Sequence, residues 1–167
     1  MRIFIIGFMG SGKTKRGKKI AKKLGYKFYD LDELIEKKYN KKIPAIFKEE
    51  GEIIFRKYES EVLKEVIAFD NIIVSTGGGT PCFYNNIDTM NRNGITLYLK
   101  AEPEFLVSRL LKSKKNNRPL IIGKNEEELI DFINTTLIQR EQYYSQAKYI
   151  FDALSIKNKE IIKQLFS

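Results

Sequence analysis

A glycine-rich segment near the amino terminus has the residue types and spacing of a phosphate-binding loop. Residues 7–14 read Gly-Phe-Met-Gly-Ser-Gly-Lys-Thr, which fits the pattern Gly-x4-Gly-Lys-[Ser/Thr]. Glycines let the backbone curl so that successive N–H groups face one anion, beside the positive end of the following helix. The lysine of this pattern reaches the outer phosphates, and the last hydroxyl ligates magnesium. We therefore predict an ATP-binding and catalytic role for Lys13, and ATP contacts from Gly10, Ser11, Gly12, Thr14 and Lys15.

Two carboxylates, Asp30 and Asp32, end the second strand-like segment. A helix cap explains one of them equally well, because Asp is favoured at a helix start. Beside a phosphate loop, one carboxylate can hold magnesium's water shell while the other faces a substrate hydroxyl. The usual magnesium-binding Asp is missing from the third strand end, where Ser75 and Thr76 stand, so Asp30 joins Thr14 as the predicted metal site. The chain has no histidine, so Asp32 is the leading candidate for a general base.

Arginine is the rarer cation here, with seven among thirty Lys and Arg residues. Each arginine is therefore a candidate for two-pronged recognition of a carboxylate or phosphate. Arg56 and Glu59 are three residues apart on one helical face, where a surface ion pair is the common case. The functional alternative is that Glu59 supports Arg56 for a substrate carboxylate. The run Gly77, Gly78 and Gly79 follows a strand and suits a ligand that approaches the backbone closely.

A polar, cationic segment lies between two predicted helices. Residues 112–118 read Lys-Ser-Lys-Lys-Asn-Asn-Arg and contain no apolar side chain. A solvated loop is the simplest interpretation. Pro119 favours an extended backbone at Arg118, which also suits a lid that delivers a cation onto the transferring phosphate. We expect this lid at about 110–124, with Gly123 as its rear hinge.

The composition is that of an ordinary globular protein. The chain has 167 residues, 43% hydrophobic and 31% charged, which predicts one domain over 1–167. Its apolar runs fall short of the ~18–20 residues that span a bilayer, and we expect no secretion leader. The single cysteine, Cys82, favours the reducing cytoplasm. The net charge of +9 comes from scattered lysine pairs, so we expect a small anionic substrate or merely a lysine-rich surface rather than nucleic acid.

Strand-like and helical patterns alternate along the chain. Short apolar runs predict strands at 3–6, 27–29, 72–74, 95–99 and 149–151. Apolar periodicity predicts helices at 13–24, 31–39, 53–67, 102–112, 125–145 and 157–166. This alternation predicts an α/β fold, with a five-stranded parallel sheet between two helical layers. Ligands of such sheets bind at the carboxyl ends of the strands, where the phosphate loop, the aspartates and the triple glycine all fall.

These motifs, in this order and spacing, resemble the shikimate kinase family over nearly the whole chain. The matching stretches are the phosphate loop with Gly17 after it, Asp30-x-Asp32, Gly51-Glu52 through Phe55-Arg56 and Glu59, Ser75 to Gly79, Arg118-Pro119-Leu120, and Arg140-Glu141-x-x-Tyr144. The resemblance implies a nucleoside-monophosphate-kinase-like fold with strand order 2-3-1-4-5. It also implies transfer of the ATP γ-phosphoryl group to the 3-hydroxyl of shikimate, with Mg2+ as cofactor, in aromatic amino-acid biosynthesis.

The resemblance also implies roles that spacing alone leaves open. The implied shikimate contacts, in a substrate-binding region at about 31–60 and beyond, are Asp32, Arg56, Gly77, Gly78, Gly79 and Arg140. The two arginines would grip the substrate carboxylate, Arg118 would serve the phosphates from the lid, and Arg109 would stack on adenine. The chain departs from the family pattern at Lys15, which replaces a small hydroxyl residue, and at 80–82. We expect a monomer with ATP and shikimate as its ligands.

Two rival functions remain open on the sequence. A gluconate kinase or a nucleotide kinase shares the phosphate loop, although the triple glycine and the Arg56/Arg140 pair favour a small carboxylate over a base. A GTP-dependent switch ordinarily carries Asn-Lys-x-Asp. Neither residues 40–43 (Asn-Lys-Lys-Ile) nor residues 158–161 (Asn-Lys-Glu-Ile) complete that motif.

Overall fold

The fold is built on a parallel sheet, seen in a computed structural model that describes residues 1–113 and 119–166. The five strands of this sheet follow the order β2-β3-β1-β4-β5. Their bounds are β1 Arg2–Ile6, β2 Lys27–Asp30, β3 Ile72–Ser75, β4 Ile95–Lys100 and β5 Tyr149–Asp152. The predicted strand order and parallel pairing are confirmed.

Helices connect these strands and cover both faces of the sheet. In the described ranges they are α1 Lys13–Leu24, α2 Leu31–Tyr39, α3 Ile43–Glu49, α4 Gly51–Val66, α5 Asn86–Asn93, α6 Pro103–Leu111, α7 Glu126–Tyr144 and α8 Asn158–Leu165. The bounds predicted for α1 and α2 are confirmed. Helices α3 and α5 were not predicted, because each is short and buries few apolar side chains: Ile46 in α3, Ile87 and Met90 in α5.

Alternating side chains of the strands form two apolar layers. Phe4 and Ile6 of β1 face the layer that α2, α3 and α4 complete, which includes Leu31, Ile46 and Leu63. Ile3 and Ile5 face the opposite layer, which α1 and α8 complete with side chains such as Ile20 and Ile161. Successive side chains of a strand point to opposite faces, so a continuous apolar run produces a strand that is buried on both sides. This confirms the predicted three-layer arrangement.

A third apolar cluster supports the phosphate loop. Phe8 of that loop packs with Leu106 and Leu110 of α6 and with Leu129 and Ile133 of α7. Burial of Phe8, which is 1% exposed, therefore fixes the loop against two helices from the second half of the chain.

None of the helices over 1–113 and 119–166 combines the length and apolar character needed to cross a membrane.

The strand register brings the chemically interesting segments to one edge of the sheet. Ile5 of β1 and Asp30 of β2 are both level with Ser75 of β3. Parallel strands end at the same edge, so the segments that follow these residues start side by side. The phosphate loop, the aspartate pair and the triple glycine therefore meet at the carboxyl edge, as the sequence predicts.

Candidate active site

The phosphate loop connects β1 to α1 through left-handed backbone positions. Gly10 and Gly12 have φ angles of 88° and 94°, values that residues with a β-carbon rarely adopt. Lys13 begins α1 and folds back over the loop, where its Nζ donates to the carbonyl oxygens of Gly7 (2.8 Å) and Phe8 (3.0 Å). The side chain is only 8% exposed. The loop thus holds its ammonium group inside the cradle that the sequence pattern predicts.

A cluster of oxygen atoms lies beside this loop, where magnesium binding is predicted. Thr14 Oγ1 donates to Asp30 Oδ2 at 2.9 Å and lies 3.2 Å from Ser75 Oγ. Asp30 Oδ1 accepts from the backbone N–H of Asp32 at 3.1 Å and so caps α2. The helix-cap role of Asp30 is therefore shown, and the same carboxylate also faces Thr14.

The residues of this oxygen cluster fit Mg2+. Hydroxyl and carboxylate oxygens are the ligands that this ion prefers, usually with phosphate and water oxygens completing the shell. The described part of the chain has no cluster of three His, Cys, Asp or Glu that could hold a metal alone. One carboxylate with two hydroxyls instead suits an ion that arrives with its nucleotide.

Asp32 has the electrostatic environment of a general base. Its Oδ1 atom is buried and has no hydrogen-bond partner among the residues that the structure describes. Burial, with the nearby Glu59 and Asp30 charges, raises the pKa of Asp32 to about 7, against the opposing effect of Lys13 and Arg56. Both protonation states are therefore accessible near neutral pH, as proton transfer requires.

Arg56 is held in a buried network on α4. Its Nη1 donates to Glu59 Oε2 at 2.9 Å, and its Nε and Nη2 donate to Glu52 Oε1 at 3.2 and 3.0 Å. Arg56 is 4% exposed and Glu59 is fully buried, so the surface-pair alternative is wrong. Burial opposes the charge on Arg56, but Glu59 and Glu52 more than compensate and raise its pKa. Glu59 Oε1 also accepts from Thr80 Oγ1 at 2.5 Å.

The triple glycine is pressed against these charged side chains. A β-carbon at Gly79 would lie 2.5 Å from Arg56 Nη2, and one at Gly77 would lie 2.7 Å from Glu59 Oε1. One at Gly78 would lie 3.0 Å from Arg140 Nη1. The site's own side chains already approach the backbone closely, so the glycines are needed before any ligand is considered.

Gly79→Ala is expected to lower the free energy of unfolding by about 1–3 kcal/mol, as overpacking a tight site does. Thermal denaturation measures the loss. In an Arg56→Ala background the clash is relieved, so the same substitution should cost much less. An equal loss in both backgrounds would show that Arg56 is not the source of the strain.

Arg140 reaches the same glycines from α7. It is 9% exposed, and its guanidinium lies 5.5 Å from the ring centre of Phe8. Its Nη1 donates to Tyr144 Oη at 3.5 Å, and Tyr144 Oη donates to the carbonyl oxygen of Gly78 at 2.5 Å. Arg140 and Arg56 thus converge on neighbouring glycines from two helices, a pairing that spacing in the sequence cannot reveal.

Most of the predicted nucleotide residues line one cavity of about 380 Å³. Lys13, Asp32 and Gly78 line it together with Lys15 and Arg109, among others. The full lining is Met9, Gly10, Gly12, Lys13, Thr14, Lys15, Asp30, Asp32, Ser75, Thr76, Gly77, Gly78, Arg109, Leu110 and Ser113. Arg109 enters from α6, with its guanidinium 5.4 Å from the Phe105 ring centre.

Some predicted residues lie elsewhere. Arg56 lines a neighbouring cavity with Glu52, Ile53, Phe83 and Tyr84. Ser11 is a buried residue of the loop, and its Oγ has no partner in the described ranges. Arg118 and most of the polar stretch of the expected lid lie outside the described residues.

Three polar side chains of this site were missed as site residues in the sequence analysis. Glu52 precedes Arg56 by four residues, a helical spacing that could have identified it as a second partner. Tyr144 follows Arg140 by four residues, and the same spacing applies. Thr80 carries no comparable signal, because only the fold brings it to Glu59.

The strand order and the phosphate loop define a phosphate-loop kinase fold. Asp30 and Asp32 line its cavity, and two buried arginines, Arg56 and Arg140, lie against the adjoining glycine segment. Known proteins agree with that class and refine it. The shikimate kinase family profile matches residues 9–167. A shikimate kinase of Bacteroides thetaiotaomicron is 45% identical over 159 residues, which cover 95% of this chain and 90% of that protein.

Solved structures give the same result. The crystal structure of shikimate kinase from Bacteroides thetaiotaomicron superposes with a TM-score of 0.91 at 44% identity, covering 99% of this chain and 96% of that one. Shikimate kinase from Acinetobacter baumannii in complex with shikimate superposes with a TM-score of 0.87 at 31% identity, covering 99% and 90%. The chain belongs to the shikimate kinase family.

Proposed function

We propose that this chain transfers the γ-phosphoryl group of ATP to the 3-hydroxyl of shikimate, giving shikimate 3-phosphate and ADP. The observation that carries the proposal is the convergence of Arg56 and Arg140 on the glycine segment 77–79, of which Gly77 and Gly78 also line the cavity of the phosphate loop. Two buried guanidinium groups next to a phosphate cradle suit a small carboxylate more than a nucleobase. Membership of the shikimate kinase family supports the same substrate.

The contacts that Arg56 makes in the structure leave it able to bind a substrate carboxylate. Glu52 and Glu59 orient the guanidinium of Arg56, and each terminal nitrogen of an arginine carries two N–H donors. A substrate carboxylate can therefore accept further bonds from Arg56 while Glu59 keeps its place. Glu52 has a partly exposed side chain (46%) and can move aside for the substrate.

In the transfer step, the 3-hydroxyl oxygen forms a bond to the γ-phosphorus as the bond from this phosphorus to the bridging oxygen of ADP breaks. The hydroxyl proton passes to Asp32, whose buried Oδ1 accepts no hydrogen bond from the residues that the structure describes. Lys13 stabilises the charge on the phosphate oxygens. Phosphoryl transfer has a loose transition state, so positioning and electrostatics contribute most of the catalysis.

Magnesium has a place in this proposal through Thr14, Asp30 and Ser75, whose oxygens gather at the loop. When bound, Mg2+ neutralises charge on the β- and γ-phosphate oxygens. We assign ATP contacts to 10–15 and Arg109, and a phosphate contact to Arg118 in a lid at about 110–124. We also propose one kinase domain over 1–167 that acts as a monomer in the cytoplasm.

A coupled assay of ADP release tests the function. We expect release from ATP to depend on shikimate and to stay near background with gluconate, with nucleoside monophosphates or without an acceptor. Release that depends on one of those other acceptors would assign a different kinase. Slow release that needs GTP and no acceptor would instead indicate a switch protein.

Arg56→Lys tests the carboxylate clamp. The charge is kept but the planar fork is lost, so we expect the KM for shikimate to rise on the order of tenfold or more. The wild type should use the carboxamide analogue of shikimate poorly, and the variant should lose little more with it. Arg92→Lys, at a residue with an 80% exposed side chain, is the matched control. If replacing shikimate by its carboxamide lowers the activity of Arg56→Lys by the same factor as that of the wild type, the substrate carboxylate binds to residues other than Arg56.

A further inference from the structure

Arg16, the fourth residue of the helix that follows the phosphate loop, reaches across to a distant part of the chain. Its Nη2 donates to the carbonyl oxygen of Ala153 at 2.6 Å, and its Nη1 donates to that of Ile156 at 2.7 Å. Nη1 also lies 3.2 Å from Asn158 Oδ1, at the first residue of α8. One guanidinium therefore holds both ends of the turn that joins β5 to α8.

Arg16 is one of several contacts that fix this turn, which also include a hydrogen bond from the Ile156 N–H to the Asp152 carbonyl oxygen at 3.1 Å and the burial of Ala153. Asp152 accepts from the N–H of Leu154 at 2.9 Å and from Ser155 Oγ at 2.7 Å, and Ala153 N donates to the Lys100 carbonyl oxygen. Leu154 is 71% exposed, so its side chain contributes little packing. The carbonyl oxygens at the two ends of the turn are held in place by Arg16.

The strand order places the 153–157 turn on the β4 and β5 side of the phosphate loop, away from the residues assigned to the acceptor. The residues assigned to the acceptor lie on the β2 and β3 side of the phosphate loop, where Asp32 and Gly78 line the cavity. A nucleoside attached to phosphates in that loop must therefore extend the other way, toward β4 and β5. Arg109 lies on that side, after β4, and the 153–157 turn follows β5.

Electrostatics agree with this proximity. Burial and the positive charge of Arg109 lower the pKa of Arg16, while Asp152 opposes them. Arg109 itself lines the nucleotide cavity next to Gly12. The Arg16 clamp and the cavity wall are thus neighbours, although Arg16 is not among the residues lining the cavity.

We propose that Arg16 is a positioning residue for the nucleoside half of ATP, which acts by fixing the 153–157 turn as a wall of the nucleoside site. The inference rests on the proposed function, in which ATP occupies the cavity. The proposal divides nucleotide binding into two parts. Binding of the phosphates depends on residues 10–14, and binding of the base and ribose depends on the turn that Arg16 fixes.

Binding of ADP and of inorganic tripolyphosphate to the full chain, measured by calorimetry, tests this separation. Arg16→Met should weaken ADP binding about tenfold, as expected when two or three hydrogen bonds that order a wall are lost. Tripolyphosphate has no nucleoside, so its affinity should change less than about twofold. Arg16→Lys keeps the charge but not the fork and should show the same pattern, which keeps the test valid if Arg16→Met folds poorly.

Arg2→Met is the matched control, because Arg2 also donates to backbone carbonyl oxygens, of Phe69 and Asn93, but at the opposite edge of the sheet. It should leave both affinities unchanged. The KM for ATP should rise in the Arg16 variants while kcat and the KM for shikimate stay near wild type. Equal weakening of ADP and tripolyphosphate, or no weakening of ADP, would overturn the inference. A wild type that binds tripolyphosphate but not ADP would overturn the proposed function itself.

Discussion

Lys13→Ala is expected to lower kcat by a factor on the order of 10³, the loss that follows removal of a preorganised charge from a transition state. The loop itself provides the preorganisation. The Lys13 ammonium group is already fixed over the cradle by the Gly7 and Phe8 carbonyl oxygens. Lys13 also lowers the pKa of Asp32, so the variant should shift the rise of activity with pH to higher pH as well.

Steady-state kinetics with saturating ATP and shikimate measure this loss, and Lys19→Ala, an exposed position on the same helix, is the control. The side chain of Lys13 is buried in the structure, with 8% exposure. We therefore expect Lys13→Ala to reduce the melting temperature as well, through its lost contacts to the loop. Activity near that of the wild type in a folded variant would remove Lys13 from the proposed mechanism.

The parts of the site that could be predicted are those encoded by local chemistry. The phosphate loop needs particular residues at consecutive positions, so Gly10 to Thr14 can be read directly from the sequence. The strand order follows from the resemblance, and the meeting of the three motifs follows from where their strands end. Asp30 is both a helix cap and a partner of Thr14. From the sequence these two roles are alternatives, and the spacing alone does not show that one carboxylate fills both.

The parts that could not be predicted depend on long-range packing. Arg140 joins Arg56 only because α7 packs against the segment that follows β3, where Tyr144 donates to the carbonyl oxygen of Gly78, and neither helix shows this in its own sequence. The contact of Arg16 with Ala153 joins residues 137 positions apart. The sequence explains the triple glycine only in part. The absence of a β-carbon at these positions leaves room for the guanidinium of Arg56 and the carboxylate of Glu59, as well as for the proposed ligand.

Asp32→Asn is the second substitution with a large expected effect. An amide cannot take the hydroxyl proton, so kcat should fall by about 10²–10⁴, the usual contribution of a general base. The free wild-type enzyme holds Asp32 at a pKa of about 7, and the carboxylate is the competent form. The kcat/KM for shikimate should therefore rise with pH through this value, whereas the variant should give a flat, low profile.

The same substitution should stabilise the substrate-free enzyme, in a way that depends on pH. The folded-state pKa of about 7 lies above the ordinary value of 3.8, so between these values the folded chain keeps a proton that the unfolded chain releases. The contribution of Asp32 to stability is therefore greatest below pH 3.8 and is lost as pH rises through 7. Asp32→Asn removes this cost, so its gain in melting temperature should be largest near pH 8 and shrink toward pH 4.

Thermal denaturation at several pH values, with the exposed Asp131→Asn as control, separates the electrostatic cause from a general effect of the amide. A gain that is the same at pH 8 and pH 4 would mean that burial and the charges of Glu59 and Asp30 do not raise the pKa of Asp32 in the folded state. A rate loss combined with a pH-dependent gain in stability is the signature of a group kept for chemistry at the expense of the fold.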